Sequence, residues 1–158
     1  MIHETKRCGG ETMKEKEFLS RVNNFYDGEA SYGDPAIKIL QGITSESAHS
    51  RPSKNAHSPA ELLAHIVGWD DVYLKRIQGD KEATIDQEFS FDWRRIDKNE
   101  KSAWRSLTSA FEKNRDRLNS ILQDMKYDVE AKENLVNNIM EHNIYHLGQI
   151  SMIKKMLP

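Results

Sequence analysis

From Met13 onward, apolar residues recur at helical steps. Phe18, Val22 and Phe25 lie four and three residues apart and predict an amphipathic first helix ending near Gly28 or Gly33. Asp34-Pro35 opens a short helical turn carrying Ile37 and Leu40, and the polar stretch Thr44 to His57, with Pro52 inside it, reads as an extended connection. Ser58-Pro59-Ala60-Glu61 is the sharpest local signal: Ser at the N-cap, Pro at the first helical position, Glu placed to reach back to the cap amide. The helix it starts carries a stripe of Leu62, Ile66, Trp69, Tyr73 and Ile77, and Gly79 stops it. Residues 80–97 have no convincing period. A connection of that length crosses a compact domain or covers a site, and its aromatics Phe89, Phe91 and Trp93 fit a satellite core better than a lid. A third long helix follows from about Lys98 to Met125, burying Trp104, Leu107, Phe111, Leu118, Ile121 and Leu122; Glu112-Lys113 and Arg115-Asp116-Arg117 mark its solvated face. The last, roughly Ala131 to Leu157, buries Leu135, Ile139, Ile150, Ile153 and Met156. Four long helices without strand alternation predict an all-α four-helix bundle. The long connection between the second and third helices can return the chain to the same end, which favours an up-down-down-up order over up-down-up-down.

Composition narrows the class. The chain has 158 residues, enough for one domain with one core, so it folds without needing a disulfide or a structural metal. Residues 1–12 have no apolar period and are expected to be a disordered extension or to precede the true start; residues 13–158 form the bundle. Cys8-Gly9-Gly10-Glu11 can be encoded by a purine-rich stretch resembling a bacterial ribosome-binding site, which makes Met13 a candidate start. A formal charge of −2 and no basic block argue against nucleic acid or anionic lipid as partner. No apolar run approaches a membrane span or a signal-peptide core, and Cys8 is the lone cysteine, so a cytoplasmic location is the expectation.

Against this background the histidines stand out. His142 and His146 are four residues apart and share a face with Leu135, Ile139, Gln149 and Ile153; His65 sits between Leu62 and Trp69 on the stripe of the second helix. Binary patterning would place Leu or Ile there, and buried imidazoles need partners. One inward histidine is ordinarily a hydrogen-bonded core residue, whereas three on facing stripes can give three neutral nitrogens to one divalent cation. With no thiolate or fourth protein ligand, such a site keeps open coordination positions, as catalytic zinc does. Zinc or nickel fits first, with iron and cobalt also compatible. The ion's charge would bring a bound water's pKa to about 7 or hold a thiol as thiolate, so hydrolysis and thiol transfer are both open. Gln149, one turn beyond His146, is the first candidate to accept from a ligand's second ring nitrogen, ahead of Asn138 and Asp70. Trp69, Tyr73 and Trp104 read as core, Tyr145 as marginal to the ligand face and not catalytic, and His3, His49 and His57 as solvated.

The segments His57-Ser58-Pro59-Ala60-Glu61-Leu62-Leu63-Ala64-His65-Ile66-Val67-Gly68-Trp69 and His142-Asn143-Ile144-Tyr145-His146-Leu147-Gly148-Gln149-Ile150 resemble, in order and spacing, the two signature helices of the DinB-like, damage-inducible four-helix-bundle superfamily. The stretch from Ile43 to Pro52 and the closing Gly79 resemble it too, so the similarity spans Met13 to Pro158. The resemblance implies an up-down-down-up bundle, commonly a homodimer, with a divalent metal on one histidine of the second helix and two of the fourth, here His65, His142 and His146. Some such proteins transfer low-molecular-weight thiols or isomerise a thiol adduct, and many have no known reaction. The expectation is a metal-dependent hydrolase or low-molecular-weight thiol transferase acting on a small molecule. The alternatives are a non-catalytic metal-binding or stress-responsive dimeric bundle, and a bundle whose histidines are only polar core.

Overall fold

The computed structural model describes residues 13–85, 93–124 and 129–156, with the side chains of 129–131 set aside. The expectation for residues 1–12 and the placement of Phe89 and Phe91 lie outside the described residues. Within them the chain is all helical: α1 (Met13–Tyr26), α2 (Ala36–Gln41), a 3-10 turn at Ser47–His49, α3 (Pro59–Ile77), α4 (Ala103–Asp124) and α5 (Val129–Met156). No strand occurs among these residues, and no helix is long and apolar enough to cross a membrane.

Helix α3 is the centre of the packing. It lies against both α5 and α4, while α1 and α2 close over α5. Its start follows from the sequence: Ser58 Oγ accepts from Glu61 N at 3.3 Å, Glu61 Oε2 accepts from Ser58 N at 2.9 Å, and Pro59 supplies the first helical φ. Every residue from Pro59 to Ile66 is buried. The deepest line of the helix is Leu63, Ile66, Leu74 and Ile77, each at most 1% exposed. Asp70 sits on that line at 1%, whereas Trp69 and Tyr73, expected on the core stripe, are half-buried. Gly79, at φ +110°, ends the helix in a conformation that side chains resist.

Helix α5 is buried more widely than one stripe. Ile139, Ile150 and Ile153 are buried as expected, but so are Val136, Met140, Asn143 and Leu147. Met156, expected in the core, is 66% exposed: in the last turn of α5 Ile153 takes the buried position, and Lys154, Lys155 and Met156 are exposed. Helix α4 buries Trp104, Phe111, Leu118 and Leu122 as the period predicts. It starts at Ala103 rather than near Lys98, since Asp97 and Glu100 bind the preceding turn with their own carboxylates, accepting from Asn99 N and Asp97 N.

Two connections depart from the sequence expectation. The stretch Thr44–His57 is not simply extended: a hydroxyl exchange between Thr44 and Ser47 starts the 3-10 turn that buries Ala48. After α3, Ala83 and Ile85 fold back onto Val72 with Trp69 at the edge, a small cluster that is not the aromatic one expected. Trp93 goes elsewhere, against the histidines.

Glu61 joins these pieces. At 1% exposure it accepts from Ser58 N, from the Arg51 guanidinium and, at 3.2 Å, from Ile96 N. Burial works against its ionised form, but these donors more than offset it and hold the carboxyl below the usual glutamate range. One carboxylate thus ties the segment before α3, the α3 N-terminus and the chain beyond Trp93.

Candidate metal centre

The packing of α3 against α5 brings His65, His142 and His146 together. Each offers a ring nitrogen, and these atoms lie within 4.8 Å of one another. His65 is 5% exposed, His146 6%, and His142 is half-buried. Ring centroids are 5.0 Å apart for His65 and His142, and 4.6 Å for each of the other two pairs.

The second nitrogens are assigned by their neighbours. His146 Nδ1 lies 2.8 Å from Gln149 Oε1, and His142 Nδ1 lies 3.2 Å from Asn143 Oδ1. Amide oxygens only accept, so each Nδ1 carries the proton and each Nε2 presents a lone pair. Asn143 is held in that orientation because its Nδ2 donates to Asp70 Oδ1 at 2.9 Å. His65 Nε2 faces His142 Nε2 at 3.0 Å, a contact that needs a shared proton or a cation between two basic nitrogens. One divalent ion could meet that need for all three rings at once, and imidazole nitrogens are donors suited to such an ion. The donor set fits the group.

Of the residues singled out beforehand, Gln149 and Asp70 both reach the cluster, Gln149 directly and Asp70 through Asn143. Asn138 is exposed and makes none of these contacts. Asn143 was not singled out as a partner, although the same signal marks it: a polar residue in an apolar line with Val136, Met140, Leu147 and Ile150. His57 is not simply solvated. Its ring stacks on Trp93 at 4.1 Å, and Trp93 stacks in turn on His65 at 4.1 Å and 7°. Trp93 therefore walls the cluster instead of joining the satellite core, because His57 and His65, one helical approach apart, leave a slot that a flat indole fills. Trp69 flanks the other side, its ring 6.4 Å from His65 and 6.2 Å from His142. His49 also departs from expectation: Nδ1 lies 2.7 Å from Ser45 O, and its buried Nε2 has no hydrogen-bond partner among the described residues. Tyr145 is 65% exposed and sets its ring edge on His146 at 4.9 Å.

Beside the cluster lies a cavity of about 570 Å³ between the Pro52–His57 segment and α5. Gln149, Tyr145 and His57 belong both to its lining and to the immediate surroundings of the imidazoles.

Asp70 fixes the sign of a pH effect. Burial pushes its carboxyl up to about 8, against the opposing hydrogen bond from Asn143, and its Oδ2 is buried without a hydrogen-bond partner among the described residues. An unfolded aspartate releases its proton near pH 4, so the stabilisation from the folded, protonated form is complete below about pH 4 and is lost as pH rises toward 8. A nearby divalent cation would favour the ionised form, so chelator-treated protein is the sample to use. There, urea unfolding is expected to show stability falling by a few kcal/mol between about pH 5 and pH 8, with the slope flattened in Asp70→Asn. An unchanged slope in that variant contradicts the assignment.

Neither a curated protein nor a solved structure matches the chain. A family model does: that of the DinB superfamily matches residues 36–150, a span holding all three clustered histidines, the amides behind two of them and the capped start of α3. With helices as the regular elements among the described residues and that match over most of the chain, the protein belongs to the DinB superfamily.

Proposed function

We propose that the protein is a metal-dependent enzyme acting on a small molecule, with His65, His142 and His146 as the ligands of one divalent ion. The observation that carries this reading is the composition of the cluster: three nitrogen donors within 4.8 Å and no carboxylate or thiolate among them. Three neutral protein ligands leave coordination positions for water or substrate, the arrangement of catalytic sites. When bound, the ion supplies a Lewis acid that activates an oxygen or sulfur nucleophile near neutral pH.

The chain's own residues do the rest. Gln149 and Asn143 hold the Nδ1 protons of His146 and His142, which aims both Nε2 lone pairs inward, and Asp70 keeps Asn143 from turning over. Trp93 and Trp69 cover the flanks of His65 and restrict water there. Hydrolysis and transfer of a low-molecular-weight thiol both suit this arrangement. Zinc or nickel is the ion of choice, with iron admissible. We place the helices in an up-down-down-up bundle whose crossover is the segment between α3 and α4, pair two chains in a homodimer, and put the protein in the cytoplasm without nucleic-acid or membrane partners. The low net charge supports the last point.

The test is turnover. Metal-loaded protein is offered activated esters, epoxides and aryl halides, with and without cysteine or glutathione. Consumption of one substrate that requires the metal and falls at least a hundredfold in His65→Ala is expected. Turnover that persists in that variant contradicts the reading, and metal retained with no turnover on any substrate favours a stress-responsive binding protein.

A further inference from the structure

The 570 Å³ cavity beside the histidines has a lining whose chemistry selects its occupant. Its size falls in the range of small-molecule sites, roughly 300–1,000 Å³. Pro52, Leu62, Met152 and Ile153 give it apolar walls. Its polar groups are the neutral side chains of Asn55, Tyr145 and Gln149 and the ring of His57. Among the described residues no Asp, Glu, Lys or Arg lines it. A charged group entering such a space would give up its hydration without gaining an opposite charge, whereas an apolar body gains by leaving water.

Gln149 adds a polar anchor. Its Oε1 accepts from His146, so the amide's other end, the NH₂, is the donor it can offer to a ligand in the cavity it lines. An acceptor such as a carbonyl oxygen, seated on that NH₂, would lie one residue away from the histidine cluster.

We propose that this cavity binds the uncharged, largely apolar portion of the substrate, through a carbonyl-type acceptor on Gln149 and an aromatic or aliphatic body against Leu62, Met152 and Ile153. The proposal rests on the histidine cluster being the reacting centre. It narrows the substrate class to neutral carbonyl compounds and sets aside phosphorylated and other strongly ionic molecules.

Gly148 provides the test. It lines the cavity on α5, and a Cβ built there meets no heavy atom within 4 Å, so a side chain can start there, and a leucine is the probe for narrowing the cavity. Leucine is also the better helix former by about 0.8–1 kcal/mol, so Gly148→Leu is expected to fold. Binding of benzamide, benzoate and benzylamine, three probes of one size and different charge, is measured by ligand-observed NMR on the wild type and on Gly148→Leu, with metal content determined on the same samples. Benzamide is expected to bind in about the millimolar range suited to its size. The two ions should bind at least tenfold more weakly, and benzamide should lose at least tenfold in Gly148→Leu. Equal or tighter binding of either ion, or no loss in Gly148→Leu, overturns the proposal. So does benzamide binding that vanishes as protein concentration rises, which would give the cavity to a second copy of the chain. Failure of benzamide on fully metal-loaded protein removes the cavity assignment alone. Benzamide binding by protein whose histidines take no metal keeps the cavity and removes the reacting centre on which its role depends.

Discussion

Replacing His142 or His146 by alanine is expected to lower divalent-metal affinity by roughly a hundredfold to a thousandfold, and replacing both to abolish stoichiometric binding. The size follows from the donor count. Zinc held by four protein ligands binds with about 10–16 kcal/mol, so one ligand accounts for about 2.5–4 kcal/mol, which is some two to three orders of magnitude. Gln149→Ala leaves all three nitrogens but frees the His146 ring to rotate and change tautomer, because the 2.8 Å contact to Nδ1 is gone. The expected loss there is about 10–100-fold. Competition with a chromophoric chelator, on protein purified without a histidine tag, reads both numbers. The ordering matters as much as the sizes: a Gln149→Ala defect equal to that of His146→Ala would mean that the histidines act as polar core. Equal affinity in the wild type and the double variant would end the ligand assignment.

The second large effect is on stability. Glu61→Ala is expected to destabilise the protein by about 3–5 kcal/mol, the usual cost of leaving a buried, hydrogen-bonded ion pair without one partner. The carboxylate is 1% exposed, and its loss strands the Arg51 guanidinium and the amides of Ser58 and Ile96. Capping alone would predict only about 1 kcal/mol. Denaturant unfolding therefore separates a hub from a cap: a loss near 1 kcal/mol would reduce Glu61 to the helix start. Since Ile96 and Arg51 flank the segments carrying Trp93 and His57, the same variant should also expose Trp93, seen as a red-shifted tryptophan emission.

How far the sequence reaches can be judged at particular residues. The α3 start was legible because Ser58, Pro59 and Glu61 act within four residues, where local geometry decides. The three histidines were legible because each breaks an apolar stripe, and stripes survive into the packed structure. Asp70 and Asn143 break deeper lines in the same way, yet the deep line of α3 shares Ile66 and Ile77 with the predicted stripe and departs from it between them, with Asp70 and Leu74 buried where the stripe puts Trp69 and Tyr73. Large half-buried rings outweighed smaller, fully buried aliphatics. Trp93 was out of reach for another reason. Its position depends on stacking between His57 and His65, and no period in residues 80–97 encodes that. The exposed Met156 shows a limit at a helix end, where the apolar period continues past Ile153, the last buried position.

The account depends on three imidazoles sharing one ion. Anomalous diffraction from crystals of untagged protein, collected on both sides of the absorption edge of the metal found in solution, tests this most directly. A single peak is expected about 2.0–2.2 Å from Nε2 of His65, His142 and His146 together. Metal-bearing crystals that show the peak elsewhere, or the three rings turned away from a common point, would contradict it.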